Sequence, residues 1–354
     1  MRAMNHPELE TLAPPVGDGR NFDRTIAEDH GEGAAIAVRA PDVAWPIPAE
    51  ARPAPDAAPS ETYYDLPVVK AAPWKWYVPA YFHAGGVAGA AASLAGAIQL
   101  SRDPRLRALE GRLHWLAVLG EAAGGVLLIA DLGRPSRFHH MMRVLRPSSP
   151  MNLGTWILSA AGTTGALALV SHLRSRDHGA PRATLGGIGG AIAGTLLSTY
   201  TGVLLGNTAI PVWHATRRRL PPWFAALSAA GLGAALELAR PATGREARVT
   251  RVYSAVAKAA ELAGARGLAR SAGRAGVDGP FRSGRAARMW RASRWLGVAS
   301  LAATLWPGGG RTRRAIAGVL GTAAAVLSRF AIVEAGRHSA ADPRATFLPQ
   351  RAGE

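Results

Sequence analysis

The chain has 354 residues, 48% of them hydrophobic and only 18% charged, and a formal net charge of +17 from 41 Lys and Arg against 24 Asp and Glu. With no cysteine it can hold neither a disulfide nor an iron–sulfur cluster, so metal-centred chemistry belongs to a partner polypeptide and no metal site is expected here. The arginines lie between apolar blocks, where they meet anionic headgroups or an acidic protein; no basic stretch is interleaved with aromatics on a soluble domain, which argues against nucleic acid.

The apolar residues come in long blocks rather than short amphipathic stripes, the pattern of an all-α, polytopic membrane protein. A mean hydropathy of only +0.06 averages those blocks with a polar head and Arg-rich loops. Residues 1–70, with "APPVGDGR" and "RAPDVAWPIPAEARPAPDAAPSE", are rich in Pro, Ala and Gly, more acidic than basic, and aperiodic, so a disordered tail is expected. No apolar h-region with a cleavage site follows Met1, so insertion is expected to rely on the first span rather than a secretory signal.

Residues 71–350 read as one transmembrane domain. Segments 76–100, 113–131, 152–173, 184–206 and 221–238 are each long enough, at 1.5 Å per residue, to cross about 30 Å of hydrocarbon. Segment 250–266 is short and carries Lys258 and Glu261 three apart on one helix face, where they either neutralise each other inside a bundle or lie at the membrane surface. Segments 294–308 and 314–336 form a last pair joined by "PGGGRTRR". Eight spans put both termini on one side, face X, opposite face Y. The connections on the two faces carry nearly equal numbers of arginines, so the positive-inside rule does not orient them. Gly85, Gly86, Gly89 and "GGIGGAIAG" mark close helix packing.

Polar residues inside these blocks are the candidate functional groups. Between Arg182 and Arg217 there is no Asp, Glu, Lys or Arg, so Tyr200 must find a partner or a ligand in an apolar layer. His83 near the start of helix one and Tyr200 near the end of helix four each lie roughly 10 Å deep from face X, so they can share a layer. Such a donor and acceptor pair suits a quinone headgroup, whose carbonyl oxygens need hydrogen bonds and whose redox change moves two protons. The competing readings are an interfacial anchor or interhelical hydrogen bond for Tyr200 and a structural role for His83. Glu121 sits mid-span in "LHWLAVLGEAAGGVLLIAD", where an acid costs on the order of 3 kcal/mol to insert unless paired or protonated; it is read as a proton-transfer group, against a neutral acid bonded to a neighbouring helix. Asp131, Arg134 and Arg137 in "ADLGRPSRF" are expected to form an ion-pair and turn cluster, or to contact a partner. His114 and His172 both fall near face Y, where two histidines on facing helices could hold a haem, although their spacing does not demand one.

"ADLGRPSRFHHMMRVLRPSSPMNLGTWIL", "STYTGVLLGNTAIPVWH" and "SRFAIVEAGRHSAADP" together resemble the NrfD / polysulfide reductase membrane subunit family, in the family's order, over roughly residues 63–350. The resemblance implies eight helices in two four-helix bundles, no cofactor bound covalently, and menaquinone or ubiquinone as substrate in the first bundle. It also implies a ferredoxin-like iron–sulfur subunit and a molybdopterin catalytic subunit as partners, and a multi-pass place in the cell inner (plasma) membrane. Tyr200, before Thr201 and Gly202, matches the helix-four tyrosine of the family's quinone pocket; His83 corresponds to the facing histidine, with Pro79 one turn earlier where a polar partner is expected. Electrons are then expected to pass between a quinone near His83 and Tyr200 and an iron–sulfur protein on face X, over loops 132–151 and 207–220. The alternatives are a secondary transporter, which needs broken helices and charged midplane sites in both halves, and a structural anchor indifferent to loss of His83 and Tyr200.

Overall fold

Prolines, caps and left-handed residues decide where the helices begin and end. The computed structural model describes residues 67–132, 134–174, 181–239, 241, 243–308 and 310–351, without the side chains of 137, 181–185 and 348–351; the expected tail lies outside it up to residue 66. Helix α1 (Tyr77–Ser101) stops at Arg102, whose φ of 53° is left-handed. Asp103 then caps a 3-10 turn, Pro104–Leu106, by accepting from the Arg105 N–H at 3.0 Å, and the turn runs straight into α2 (Arg107–Asp131). A second 3-10 segment, Pro135–Met142, leads to α3 (Pro150–Arg174), followed by α4 (Pro181–Gly206) and the short α5 (Pro211–Ala215). Each of these starts on a proline, whose missing N–H is no loss in a first turn.

Helix α6 (Leu220–Leu238) carries Pro221 and Pro222 in its first turn, and α7 (Gly244–Arg274) is capped by Thr243, whose hydroxyl accepts from the Glu246 N–H at 3.1 Å. The chain continues through α8 (Gly279–Arg282), α9 (Gly284–Leu305), α10 (Arg311–Ala340) and α11 (Pro343–Arg351). Among the described residues there is no strand, and helix occupies each of the expected segments. Five stretches are long and apolar enough to cross a membrane: Tyr77–Ser101, Pro104–Asp131, Pro150–Arg174, Gly186–Gly206 and Arg311–Ala340. Helices α6, α7 and α9 fall short of that measure. The last two are rich in arginine, and α7 begins and ends well beyond the expected 250–266.

Helix α1 packs along α2 and α4, and α3 along the same two; α6 packs along α7 and α10, and α9 likewise. Helices α1 and α4 also meet α6, and α1 meets α10. Where α1 crosses α4, a Cβ on Gly89 would collide with the Gly194 carbonyl and one on Gly194 would lie 2.5 Å from the Gly89 carbonyl, so the two backbones touch because neither residue has a side chain.

Contacts at the helix ends sort into two layers. In one, Trp74 stacks on Trp213 with centroids 5.4 Å apart, Arg337 donates to the Trp74 carbonyl, and the Val212 N–H donates to the Ser339 hydroxyl at 3.0 Å. In the other, Arg245 meets Asp103 at 3.3 Å, Arg112 pairs with Glu246, and Arg251 donates to the carbonyls of Leu305 at 2.9 Å and Trp306 at 3.1 Å. The first layer gathers the helix ends assigned to face X, the second those assigned to face Y.

Lys258 and Glu261 do not neutralise each other. Lys258 Nζ reaches back to Glu237 on α6 at 2.5 Å and to the Thr304 hydroxyl on α9 at 2.9 Å, while Glu261 accepts from Arg294 at 2.6 Å and from the Trp223 indole at 3.2 Å. Both residues are buried, so this face of α7 packs into the fold with its two charges matched across helices rather than along one, while Val252 and Val256 are exposed. Removing one partner strands the other: Lys258→Met is expected to lower unfolding stability by about 3–5 kcal/mol. The double variant Lys258→Met/Glu237→Leu should recover most of that loss, read by thermal unfolding in detergent, and a double variant as unstable as the single one would contradict the pairing. If every long helix crosses, reporter fusions after Gly179 and Arg245 report one side of the membrane and a fusion after Glu354 reports the other.

Candidate functional site

Tyr200 lies on α4 with 5% of its surface exposed, and its hydroxyl makes no hydrogen bond of good geometry among the described residues, although the Gly154 backbone on α3 lies close enough to interact with it. A Cβ on Gly154 would overlap the phenol end of the ring, so the glycine makes the space that the tyrosine fills. Tyr81 on α1 is buried too, sits within electrostatic reach of Tyr200, and lays its ring against Gly124 of α2. Thr201 beside Tyr200 is buried with its hydroxyl also unpartnered. Two phenols and a threonine are thus all buried within α1–α4. Tyr81 is not among the residues read from the sequence, although a second tyrosine two positions before His83 was visible there.

His83 turns elsewhere. Two residues along a helix is about 200° of rotation, so Tyr81 and His83 occupy opposite faces of α1. Nδ1 of His83 lies 3.3 Å from Nη1 of Arg329 on α10, and its ring faces Gly231 of α6. No hydrogen bond joins His83 to Tyr200 among the described residues. Because the guanidinium can only donate, Nδ1 is the acceptor and Nε2 carries the proton. Arg329 is fully buried; it also donates to the carbonyls of Phe82 at 2.9 Å and Ala325 at 3.1 Å and to the Ser228 hydroxyl at 3.2 Å. Its signal in the sequence was a single charge in the middle of "AAAVLSRFAIV".

Glu121 is 4% exposed, and neither carboxylate oxygen has a hydrogen-bond partner among the described residues. It points at α3, where a Cβ on Gly165 would come within 2.9 Å of Oε2. Glu110, His114, Ala117 and Glu121 form one buried stripe along α2. The His114 and His172 rings lie 5.5 Å apart with the Glu110 carboxylate between them, Oε1 being 3.6 Å from His114 and 3.4 Å from His172. With that carboxylate in place a porphyrin plane does not fit between the two imidazoles, so they are not a haem pair.

Of the expected cluster at the X end of α2, Asp131 and Arg134 make no ion pair with each other among the described residues. Asp131 is half-buried and Arg134 exposed without an ion pair, and the Arg137 side chain lies outside the described residues. The turn is instead held by Asn152, which accepts from the Arg146 N–H at 2.7 Å and donates to the Met141 carbonyl at 2.6 Å. That leaves Arg134, Arg143 and Arg146 exposed on this loop together with Phe138, Val144 and Leu145, a basic surface with apolar residues at its centre. Among the described residues the eight long helices run unbroken, unlike the interrupted helices on which a secondary transporter depends.

The family described as polysulphide reductase, NrfD, matches residues 67–258, which hold every site residue read from the sequence but not Arg329. A search of the curated proteins returns no match.

The fit between Gly154 and Tyr200 has a direct consequence for stability. Gly154→Ala overpacks the contact and is expected to cost about 1–3 kcal/mol, with much of that recovered in Gly154→Ala/Tyr200→Leu. Thermal unfolding of the purified chain measures both, and a neutral Gly154→Ala would contradict the packing.

Proposed function

The chain belongs to the polysulphide reductase, NrfD, family and is a membrane subunit of that kind of oxidoreductase, and on that footing we propose that it exchanges electrons between a membrane quinone and an iron–sulfur partner. The observation that carries this reading is the buried Tyr200 hydroxyl with no hydrogen-bond partner among the described residues. A buried donor left unmade costs about 1–3 kcal/mol, and a quinone carbonyl is an acceptor that removes that cost only while it is bound. The Tyr81 ring supplies an apolar wall and Gly154 the room for the phenol. Tyr200 is the hydrogen-bond donor to the headgroup, whether menaquinone or ubiquinone. His83 is turned toward Arg329, so its Nε2–H serves proton exchange from the other face of α1 rather than sharing one hydrogen-bond layer with Tyr200.

Glu121 completes the proton side of the reading. An unpaired carboxyl in an apolar layer is held ready to take up or release a proton as the quinone changes redox state. The partner is a ferredoxin-like iron–sulfur protein docked on face X over the loop of Arg134, Arg143 and Arg146, whose charge favours an acidic surface and whose apolar residues give it a dry centre. A molybdopterin subunit lies beyond that protein. All eight long helices cross the inner (plasma) membrane as two four-helix bundles, α1–α4 and α6, α7, α9 and α10, with Glu237, Lys258 and Glu261 paired on the inside and the exposed arginines of α7 and α9 reaching the headgroups and water.

Tyr200→Phe removes one hydrogen bond and keeps the ring. The expected loss is about 1 kcal/mol, or roughly fivefold in apparent quinone affinity, with assembly of the complex and activity toward artificial electron carriers unchanged. A structural anchor predicts the reverse, poor assembly with normal quinone kinetics, and identical quinone titrations of wild type and Tyr200→Phe would overturn the assignment. Glu121→Gln should slow proton uptake during quinone reduction while the variant folds normally; unchanged uptake would return Glu121 to a packing role.

A further inference from the structure

We propose that Glu110, His114 and His172 form a divalent transition-metal site of the zinc class at the Y ends of α2 and α3, separate from the quinone reading. Glu110 and His114 are four apart on α2 and so share one helix face, and His172 comes to them from the last turns of α3. One ligand atom from each lies within 4.8 Å of the other two. The separations from Glu110 Oε1, 3.6 Å to His114 Nε2 and 3.4 Å to His172 Nδ1, are long for N–H···O bonds, which both imidazoles can still make to the carboxylate. They are close to the ~3.4 Å that separates two ligands on one tetrahedral ion with bonds of about 2.1 Å.

Two further features show a built site. A Cβ on Gly111 would lie 2.8 Å from His172 Nε2, so the glycine lets the imidazole rest across the α2 backbone with Nδ1 turned to Glu110. Arg107 donates to the His172 carbonyl at 3.3 Å and fixes the end of α3 that carries the ligand. The Glu110 and His114 side chains are 3% and 4% exposed, while His172 is 12% exposed, so the site is closed on the protein side and approached past His172 from face Y. Two imidazoles and one carboxylate with a position left for water is a donor set that zinc accepts. An ion there clamps α2 to α3 at the end opposite Tyr200; the expectation of no resident metal rested on the missing cysteines alone, and histidine and glutamate ligands do not need them.

The test is a Co(II) titration of the chelator-treated, full-length chain in detergent. One equivalent is expected to bind with the visible absorption of a low-coordinate nitrogen and oxygen site and to be displaced by Zn(II). Glu110→Gln and His114→Gln should each weaken binding at least tenfold, and Glu121→Gln should leave it unchanged. The exposed His139 and His140 are the obvious adventitious site, so His139→Ala/His140→Ala must retain the equivalent. A second readout needs no ligand variant: Zn(II) should shield His114 and His172, but not His139 and His140, from a histidine-modifying reagent mapped by mass spectrometry. No saturable binding by the wild type, binding lost with His139 and His140, or no shielding of His114 and His172 would each overturn the site and leave a hydrogen-bonded triad.

Discussion

The guanidinium of Arg329 ties the two sets of helices together. It sits at zero exposure on α10 and donates to a carbonyl and an imidazole of α1, a hydroxyl of α6 and a carbonyl of its own helix. Enclosing an unsolvated guanidinium costs several kcal/mol, and only an arrangement that meets its donors at once offsets that cost. Gly86 provides the room, since a Cβ there would lie 2.9 Å from Nη2 of Arg329 and 2.5 Å from the Ser228 hydroxyl. In a lipid-facing protein, where apolar helix faces gain little by meeting one another, such a polar node and the glycine contacts beside it fix which helices touch. The tautomer of His83 follows from the same node.

Around it, the two helix sets treat polarity differently. In α6, α7, α9 and α10 the buried charges are matched: Glu237 with Lys258 and Thr304, Glu261 with Arg294 and Trp223. In α1–α4, Glu121 and the Tyr200 hydroxyl are buried without hydrogen-bond partners among the described residues. Matched groups hold a structure; unmatched ones in an apolar layer persist where something else completes them. This asymmetry is the physical basis for the proposal that Tyr200 is a ligand-binding group in the first set.

Much of this was legible in the chain itself. Apolar runs opened by prolines at 150 and 181 announced their helices, and a tyrosine and a glutamate stranded in such runs were visible as anomalies. What the sequence hid depends on rotation and partner choice across helices. Lys258 and Glu261 look like a pair because they are one turn apart, yet each finds its partner 21 and 33 residues away. His83 and Tyr200 were placed at a shared depth, but depth does not say which way a side chain points, and His83 points to Arg329 while Tyr81 lies against Gly124 of α2. The early turns of α9, "GRAARMWRAS", precede the expected segment 294–308, which starts where the arginines thin out; Arg and Ala are both strong helix formers, and long arginine stems can cover apolar surface while their heads reach water. The Asn152 turn and the Glu110 cluster each join residues from two elements, which no local pattern displays.

The most direct test of a headgroup site at Tyr200 is to label the purified complex with a photoreactive quinone and map the attachment by mass spectrometry. The account predicts competable labelling on α3 and α4 within a turn or so of Gly154 and Tyr200, suppressed by excess natural quinone. Competable labelling confined to α6, α7, α9 or α10, with none near Gly154 or Tyr200, would contradict it.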